Sequence, residues 1–205
     1  MIKPKILLND DTGIAILYKG IITNTVNIFD HLMKSDWRQE EIKMMGKTYM
    51  ANRHLCTYGD NDVTYSFGGK TEGCVPWKTN PGIVDLRYQI ESITKTKFNY
   101  VVTNLYLDNN AKIGYHSDKE KDLVSGAKIV SANLGSTREF RIQPITKKFT
   151  SIGRERPNLI KIDLEDGDLL IMGGNLQSFW KHAVLESKIP CGPRINTTFR
   201  VMKTK

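Results

Sequence analysis

The sequence lacks the marks of a secreted, disulfide-linked or membrane-spanning protein. Its 205 residues include only 3 cysteines, with no pair spaced as CxxC, which disfavours a disulfide framework or a cysteine zinc site and suits a reducing compartment. No apolar run approaches the ~20 residues needed to span a bilayer, and the N-terminal apolar stretch is too short for a secretory signal. We therefore expect an intracellular protein with no membrane partner, in the nucleus of a eukaryote or otherwise in the cytoplasm.

Acidic residues are scarce relative to basic ones. The chain has 30 Lys and Arg against 22 Asp and Glu, a formal net charge of +8. Such a surplus favours a polyanionic partner such as nucleic acid. A soluble protein with many lysines spread along its chain would have the same surplus, so charge alone does not decide between the two.

Apolar residues at helical spacing predict two helices in the first half of the chain. One follows Asn24 or Thr25 as its N-cap, and the other follows Asn80 as N-cap with Pro81 at its first position. Turn signals rich in Asp, Asn and Gly separate a series of predicted strands. These strands are expected at 13–19, 64–67, 98–107, 128–134, 139–143, 159–164, 169–172 and 195–202.

No linker rich in glycine, proline or serine and no internal repeat divides the chain. We therefore expect one domain over residues 1–205. Its first part, about 1–97, holds the helices, and about 98–205 holds most of the strands. This order predicts an α+β fold that is mainly β, a sandwich or barrel with helices packed on one face.

The last predicted strand alternates polar and apolar residues, so its polar residues share one face. They are Arg194, Asn196, Thr198 and Arg200. If this face points into the barrel, an anion should lie between the buried arginines. An exposed edge with solvated arginines is the alternative, and it is the better interpretation of the strand taken alone. In strand 98–107, Asn104 and Tyr106 also share a face and can both donate to a carboxylate, although an ordinary half-buried strand explains them too.

A possible metal site is marked by His116 and Asp118, an HxD pair whose side chains share one face of an extended segment. Of the other histidines, His31 falls in a predicted helix and His54 precedes a polar loop, which leaves His182 as the third ligand. Together they would form the facial triad of two histidines and one carboxylate found in non-haem iron(II) oxygenases. HxD alone is a weak signal, but HxD followed by a distant histidine and by RxNxTxR is a strong one.

With these motifs the chain resembles the AlkB-type iron(II)- and 2-oxoglutarate-dependent dioxygenases, and most of all the branch that repairs alkylated bases in double-stranded DNA. The resemblance runs from about residue 14 to the C-terminus. The segments that carry it are Thr57-Tyr58-Gly59-Asp60, Thr64-Tyr65-Ser66-Phe67-Gly68-Gly69, Asn104-Leu105-Tyr106, His116-Ser117-Asp118, Gly135-Ser136-Thr137-Arg138-Glu139-Phe140, His182 and Arg194-Ile195-Asn196-Thr197-Thr198-Phe199-Arg200.

The resemblance implies a double-stranded β-helix, or jelly roll, with supporting helices and an N-terminal nucleotide-recognition lid. His116, Asp118 and His182 would be both the iron(II) ligands and the catalytic centre. Arg194, helped by Tyr106, would hold the distal carboxylate of 2-oxoglutarate. The rest of that pocket would be lined by Asn104, Asn196, Thr198 and Arg200. Oxygen and 2-oxoglutarate would be consumed as the N-alkyl carbon is hydroxylated, leaving succinate, formaldehyde and the repaired base.

The resemblance also implies contacts with a flipped base, since a base inside a duplex cannot reach buried iron. Tyr65 and Phe67 match the lid aromatics that stack on that base, although Phe67 could equally be a plain core aromatic. Glu120 would read the edge of the base and favour cationic lesions such as 1-methyladenine and 3-methylcytosine. Arg53 is expected on the same substrate surface.

A hydrophobic finger that fills the gap left by the flipped base is the last implied feature. Met44 and Met45 match it, and apolar wedges do insert between base steps in other proteins. The alternative is a hairpin whose methionines pack on the core.

Three departures from the branch bear on substrate choice: Asn52 where proline is usual, Lys119 where a second acid is usual, and two methionines in the finger where an aromatic is expected. DNA is the expected partner of a monomeric enzyme, RNA is possible, and whether the strand is single or double stays open. The rivals are the same chemistry on RNA, protein or a small molecule, and a non-catalytic nucleic-acid-binding protein of the same fold.

We expect the affinity for undamaged DNA to fall steeply with salt, because basic side chains displace counterions from phosphates. Raising the salt from about 50 to about 200 mM should weaken binding about tenfold or more, measured by fluorescence anisotropy. An affinity that barely changes would favour a protein or small-molecule substrate.

Overall fold

Strands dominate the computed structural model, which describes residues 3–44, 46–67, 70–118 and 122–204. The strands are β1 (Lys5–Asp10), β2 (Gly13–Tyr18), β3 (Arg38–Met44), β4 (Lys47–Gly59), β5 (Thr64–Phe67), β6 (Lys70–Gly73), β7 (Val75–Pro76), β8 (Tyr100–Tyr106), β9 (Ile113–His116), β10 (Ile129–Gly135), β11 (Arg138–Pro144), β12 (Ile160–Leu164), β13 (Leu169–Gly173), β14 (Trp180–Val184) and β15 (Arg194–Arg200). The helices are α1 (Thr25–Met33), α2 (Pro81–Thr94), α3 (Thr146–Ser151) and α4 (Leu176–Phe179). The predicted mainly β fold is confirmed.

Most of these strands belong to two antiparallel sheets. The larger sheet runs β1-β2-β13-β10-β15-β8-β4-β3, with the short β7 beside β4. The smaller sheet runs β12-β11-β14-β9, and β5 with β6 forms a separate hairpin. Strands that are distant in sequence are neighbours in both sheets, so residues from opposite ends of the chain meet in one interior.

The larger sheet buries both of its faces. In β13, Leu169 and Ile171 belong to the hydrophobic cluster that α1 and α2 form with the sheet, whereas Leu170 and Met172 belong to a second cluster. The second cluster also holds residues of the smaller sheet, including Phe140, Ile142, Trp180 and Val184. The helices therefore cover one face and the smaller sheet covers the other, which leaves the interior between the two sheets as the place for a site.

Strand β15 lies in the middle of the larger sheet, between β10 and β8, and all of its residues are buried. Ile195 and Phe199 pack in the cluster beneath the helices. Its polar residues therefore point into the interior between the sheets. The alternative of an exposed edge with solvated arginines is wrong.

The helix starts differ in their chemistry. Asn80 caps α2 as predicted, since its Oδ1 accepts hydrogen bonds from the backbone N–H groups of Gly82 and Ile83 at 3.0 and 3.3 Å. Asn24 precedes α1, but its backbone is left-handed, with φ 58°, and its side chain makes no capping bond. It donates instead to Asp85 of α2 at 3.1 Å. The expectation of a side-chain cap on α1 was therefore wrong.

Several strands were not foreseen, and each has a physical reason. β3 is rich in charged residues and pairs only as one arm of the hairpin with β4. β9 and β14 carry His116 and His182 and are interrupted by register irregularities, which weakens their alternation.

None of the helices within the described ranges is both long and apolar enough to cross a membrane.

The side chain of Asn80 connects α2 with α1 and β4, so its removal should lower the stability of the fold. Besides capping α2, its Nδ2 donates to the carbonyl of His31 at 3.0 Å and to the Tyr58 hydroxyl at 3.3 Å. We expect Asn80→Ala to lower the free energy of unfolding by about 2–3 kcal/mol, because a cap and buried hydrogen bonds are lost together. Urea denaturation measures this, with the exposed Thr79→Ala as control. A loss no larger than the control's would contradict the assignment.

Candidate active site

Three side chains that can hold a metal ion meet at one end of the interior. The ligand atoms of His116, Asp118 and His182 all lie within 4.8 Å of one another. Nε2 of His116 is 3.9 Å from Oδ1 of Asp118, and Nε2 of His182 is 3.7 Å from Oδ2. Two imidazoles and one carboxylate form a donor set that suits a borderline divalent ion such as iron(II).

The smaller sheet brings these residues together. His182 of β14 is the direct cross-strand partner of His116 at the end of β9. Nδ1 of His116 lies 2.8 Å from the carbonyl oxygen of Gly114, and a donated hydrogen bond there leaves Nε2 free to bind metal. The segment after β9 is held by Gln177 of α4, whose Oε1 accepts from the backbone N–H of Asp118 at 2.8 Å.

The protonation states of this cluster favour metal binding. Burial opposes ionisation of Asp118, but Arg200 and the two histidines outweigh it and bring the pKa of its carboxyl below the usual value. Arg200 donates from Nη2 to Oδ1 of Asp118 at 2.7 Å, whereas Oδ2 has no hydrogen-bond partner among the described residues. Burial lowers the pKa of His182 to about 4, so its ring is neutral at physiological pH and keeps a lone pair for a metal.

A buried cation lies in the same interior at the other end of β15. Arg194 is fully buried, and its Nη2 donates to Oδ1 of Asn133. In the part of the chain that the structure describes, its Nε and Nη1 have no hydrogen-bond partner. Its guanidinium carbon lies 5.0 Å from the centre of the Tyr106 ring. Burial lowers the pKa of Arg194 to about 10, so it stays charged at neutral pH.

These unsatisfied donors fit an anionic ligand. A buried guanidinium without a carboxylate partner is costly, and an anionic acceptor such as a carboxylate would satisfy N–H groups that the described residues leave unpaired. A second arginine near the same tyrosine, Arg138, is already engaged by backbone carbonyls of Asp108, Ala111 and Leu185. Arg194 is therefore the better candidate for an incoming carboxylate.

Polar side chains of three central strands surround Arg194 on the same face. Asn196 donates to the Ser131 hydroxyl at 2.7 Å and to Oδ1 of Asn133 at 3.3 Å. Thr198 donates to Oδ1 of Asn196 at 3.3 Å, and Asn104 lies directly across from Asn196 on β8. The structure thus brings together the dicarboxylate residues expected from sequence, except that Arg200 contacts the metal cluster and not Arg194.

Sequence reasoning missed several residues that shape this site. Ser131 and Asn133 alternate with apolar residues in β10, a signal that was present and was not used. Gln177 and Glu40 had no such signal, because only the fold brings them to Asp118 and Arg53. Arg53 itself is buried and engaged by Glu40 and Asn104, and so lies beside the dicarboxylate residues.

The structure describes the remaining expected substrate residues only in part or not at all. Met45 and Glu120 lie outside the described residues, as does Lys119. For Met44, Tyr65 and Phe67 the structure describes the strand but not the side chain. Met44 ends β3 opposite Lys47 at the start of β4, so the expected finger coincides with the tip of a β-hairpin.

Known proteins resemble the chain in both sequence and fold. The human protein named DNA oxidative demethylase ALKBH2 is 33% identical over 165 residues, which cover 80% of this chain and 62% of that protein. The bovine alpha-ketoglutarate-dependent dioxygenase alkB homolog 3 is 32% identical over 177 residues, covering 86% of this chain and 61% of that protein. The chain therefore spans less than two thirds of the length of these two relatives.

Solved structures share the fold at low sequence identity. The structure of OsALKBH1 matches with a TM-score of 0.56 and 19% identity, covering 96% of this chain and 100% of that one. A 2OG-Fe(II) oxygenase family oxidoreductase from Burkholderia pseudomallei matches with a TM-score of 0.58 and 12% identity, covering 93% and 89%. These likenesses confirm the predicted jelly-roll core.

The profile of the 2OG-Fe(II) oxygenase superfamily matches residues 17–200, which is most of the chain. That family uses iron(II), 2-oxoglutarate and oxygen, the same three that the resemblance implied. The clustered His116, Asp118 and His182 and the unpaired N–H groups of Arg194 fit the metal and an anionic co-substrate. The chain belongs to the 2OG-Fe(II) oxygenase superfamily.

Proposed function

We propose that this chain is an oxidative demethylase that removes N-alkyl groups from bases in DNA, using iron(II), 2-oxoglutarate and oxygen. The observation that carries the proposal is the shared interior, where a metal-ligand cluster and an unsatisfied buried arginine face the space between the sheets. The names of the relatives, DNA oxidative demethylase and alkB homolog 3, support this substrate class.

In this proposal His116, Asp118 and His182 hold iron(II). When bound, the metal supplies the oxidation that converts an N-methyl group to formaldehyde while 2-oxoglutarate becomes succinate and carbon dioxide. Arg200 holds the Asp118 carboxylate in its charged form, so the ligand needs no deprotonation. The hydrogen bond from Nδ1 of His116 to a backbone carbonyl fixes the tautomer that presents Nε2.

The co-substrate pocket is proposed around Arg194, whose guanidinium takes the distal carboxylate with help from the Tyr106 hydroxyl. Other polar residues of β8 and β15 line the pocket: Asn104, Asn196 and Thr198, with Arg200 at the metal end. Because Asn133 and Ser131 fix these side chains from β10, the pocket is held rigidly by the centre of the sheet.

Substrate recognition is proposed on the N-terminal hairpins. Tyr65 and Phe67 would stack on a flipped base, Glu120 would read its edge, and Met44 with Met45 would fill the gap in the duplex. The first residues of β4 are exposed, and Met50 has 55% of its surface accessible, which is the exposure expected of a hairpin tip that stands away from the core. This favours a projecting finger over methionines packed on the core.

We further propose that residues 1–205 form one dioxygenase domain, with about 1–97 as helices and lid and about 98–205 as the jelly roll. It would act as a monomer on nucleic acid, in the nucleus of a eukaryote or otherwise in the cytoplasm. RNA, a protein or a small molecule as substrate, and non-catalytic nucleic-acid binding, are the alternatives that the following experiment separates.

The experiment is mass spectrometry of oligonucleotides carrying 1-methyladenine or 3-methylcytosine after incubation with iron(II) and 2-oxoglutarate. We expect loss of the methyl group from DNA, and no turnover in His116→Ala, Asp118→Ala or His182→Ala, because three protein ligands are needed for this type of site. Single-stranded DNA, double-stranded DNA and RNA are compared in parallel. Turnover of RNA alone would identify RNA, and not DNA, as the substrate. Unchanged turnover in all three variants would refute the assignment of the metal ligands.

Arg194→Lys should raise the concentration of 2-oxoglutarate needed for half-maximal turnover by about tenfold or more, since an ammonium group cannot reproduce the two parallel hydrogen bonds of a guanidinium. Binding of undamaged DNA should stay unchanged, because Arg194 is fully buried. Steady-state kinetics and fluorescence anisotropy measure the two effects. A 2-oxoglutarate dependence equal to that of the wild type would show that Arg194 is not the anchor.

A further inference from the structure

We propose that Glu40 and Arg53 are positioning residues for the co-substrate pocket, and that they fix the side-chain amide of Asn104 with its nitrogen presented to 2-oxoglutarate. This inference rests on the proposed function, since it takes Asn104 as part of the pocket. Glu40 was not among the residues predicted from sequence. Arg53 was expected on the substrate surface, but it is buried in the interior.

The contacts form a short chain from the hairpin to the sheet. Nη2 of Arg53 lies 3.1 Å from Oε2 of Glu40, and the two side chains are each only 9% exposed. Nε of Arg53 donates to Oδ1 of Asn104 at 2.8 Å. The guanidinium therefore uses separate nitrogens for the two partners, so it holds both in one geometry.

The chemistry of arginine fixes which way the amide of Asn104 points. All nitrogens of a guanidinium are donors, so the Asn104 atom beside Nε must be the oxygen. The nitrogen of the amide, with its two donors, then points away from Arg53. Since Asn104 lies directly across from Asn196 on the interior face, the amide presents donors where a carboxylate would accept them.

The position of the ion pair explains why Glu40 is needed. The pairing of β3 with β4 is irregular here, because Gln39 pairs with His54 whereas Glu41 pairs with Met50, leaving extra residues on β4 opposite Glu40. At such a bulge the ladder does not fix Arg53, so the carboxylate of Glu40 does. Glu40 also neutralises Arg53, which would otherwise compete with Asn104 for the carboxylate of the co-substrate.

The test replaces the pair without changing the net charge. The double variant Glu40→Met with Arg53→Met removes both charges, and such apolar replacement of a buried ion pair is usually tolerated by the fold. The matched control is Lys112→Met with Glu186→Met, another charge-neutral change, at a pair whose side chains are 48% and 63% exposed. For each protein, loaded with Mn(II), 2-oxoglutarate binding is measured by calorimetry, undamaged DNA binding by anisotropy, and melting temperature by scanning calorimetry.

We expect the double variant to bind 2-oxoglutarate about tenfold more weakly, the effect of losing one hydrogen bond to a charged group, with DNA binding and the control unchanged. Arg53→Lys keeps the charge but has one nitrogen in place of three, so it should also weaken the affinity for 2-oxoglutarate. This variant provides the test if the double variant does not fold.

Three outcomes would overturn parts of this picture in distinguishable ways. Unchanged or tighter 2-oxoglutarate binding in the double variant or in Arg53→Lys, with a wild type that binds normally, would refute the positioning role and leave the proposed function intact. Weakened DNA binding with unchanged 2-oxoglutarate affinity would make Arg53 a substrate contact. A wild-type protein that binds no 2-oxoglutarate would refute the proposed function itself, and this inference with it.

Discussion

The burial of a positive charge at Arg194 is the constraint on which the interior of this protein depends. A guanidinium with no exposure is costly to leave without acceptors, yet among the described residues Nη2 donates to the side-chain oxygen of Asn133 while Nε and Nη1 have no hydrogen-bond partner. A core selected for stability alone would have replaced such a residue with an apolar one. Its retention in the central strand of the larger sheet is understandable if an anion completes its coordination.

The rest of the interior follows from satisfying that charge and the metal ligands at once. Asn133 accepts from Arg194 and also from Asn196, so its orientation ties two strands together. At the other end of β15, Arg200 is satisfied by a carboxylate of the protein, Asp118. The two arginines of β15 therefore differ. Arg200 is paired with the carboxylate of Asp118, whereas Arg194 keeps unpaired N–H groups among the described residues. In the proposed pocket, this difference would set the direction of a dicarboxylate, with one carboxylate at Arg194 and the other toward the metal-ligand cluster.

The sequence was sufficient for the elements in which local pattern and global fold agree. The polar face of β15 was visible as alternation, despite Thr197 on the apolar face, and the capped start of α2 was visible as Asn80 followed by proline. The direction of that polar face was not, because an edge strand and a central strand can have the same alternation, and only pairing with β10 and β8 decides between them. Asn24 is the N-cap of α1 as predicted, but the expected capping hydrogen bond is absent, because its side chain contacts Asp85 of another helix.

Within the site, residues close in sequence were foreseen and those joined only by the fold were not. His116 and Asp118 are two residues apart, so their association was predicted from an extended segment, although β9 ends at His116 and Asp118 follows it. Glu40 meets Arg53 only because β3 folds back on β4 through an irregular register, and no spacing rule predicts where a bulge places a carboxylate.

The division between rigid and appended elements explains what kind of specificity each part can provide. Arg194 of β15 and His182 of β14 lie on strands with neighbours on both sides, which hold them rigidly, whereas His116 ends the edge strand β9 and Asp118 follows it. The hairpin β3–β4 joins the larger sheet through the pairing of β4 with β8, whereas β5 and β6 pair as a separate hairpin. The Glu40–Arg53 pair connects the hairpin to the proposed pocket, because both residues lie in the hairpin β3–β4 and Arg53 donates a hydrogen bond to Asn104 of β8. In the proposed arrangement, a change in the position of the hairpin on a substrate would have a direct physical route, through the Arg53 guanidinium, to the Asn104 amide proposed to face the co-substrate.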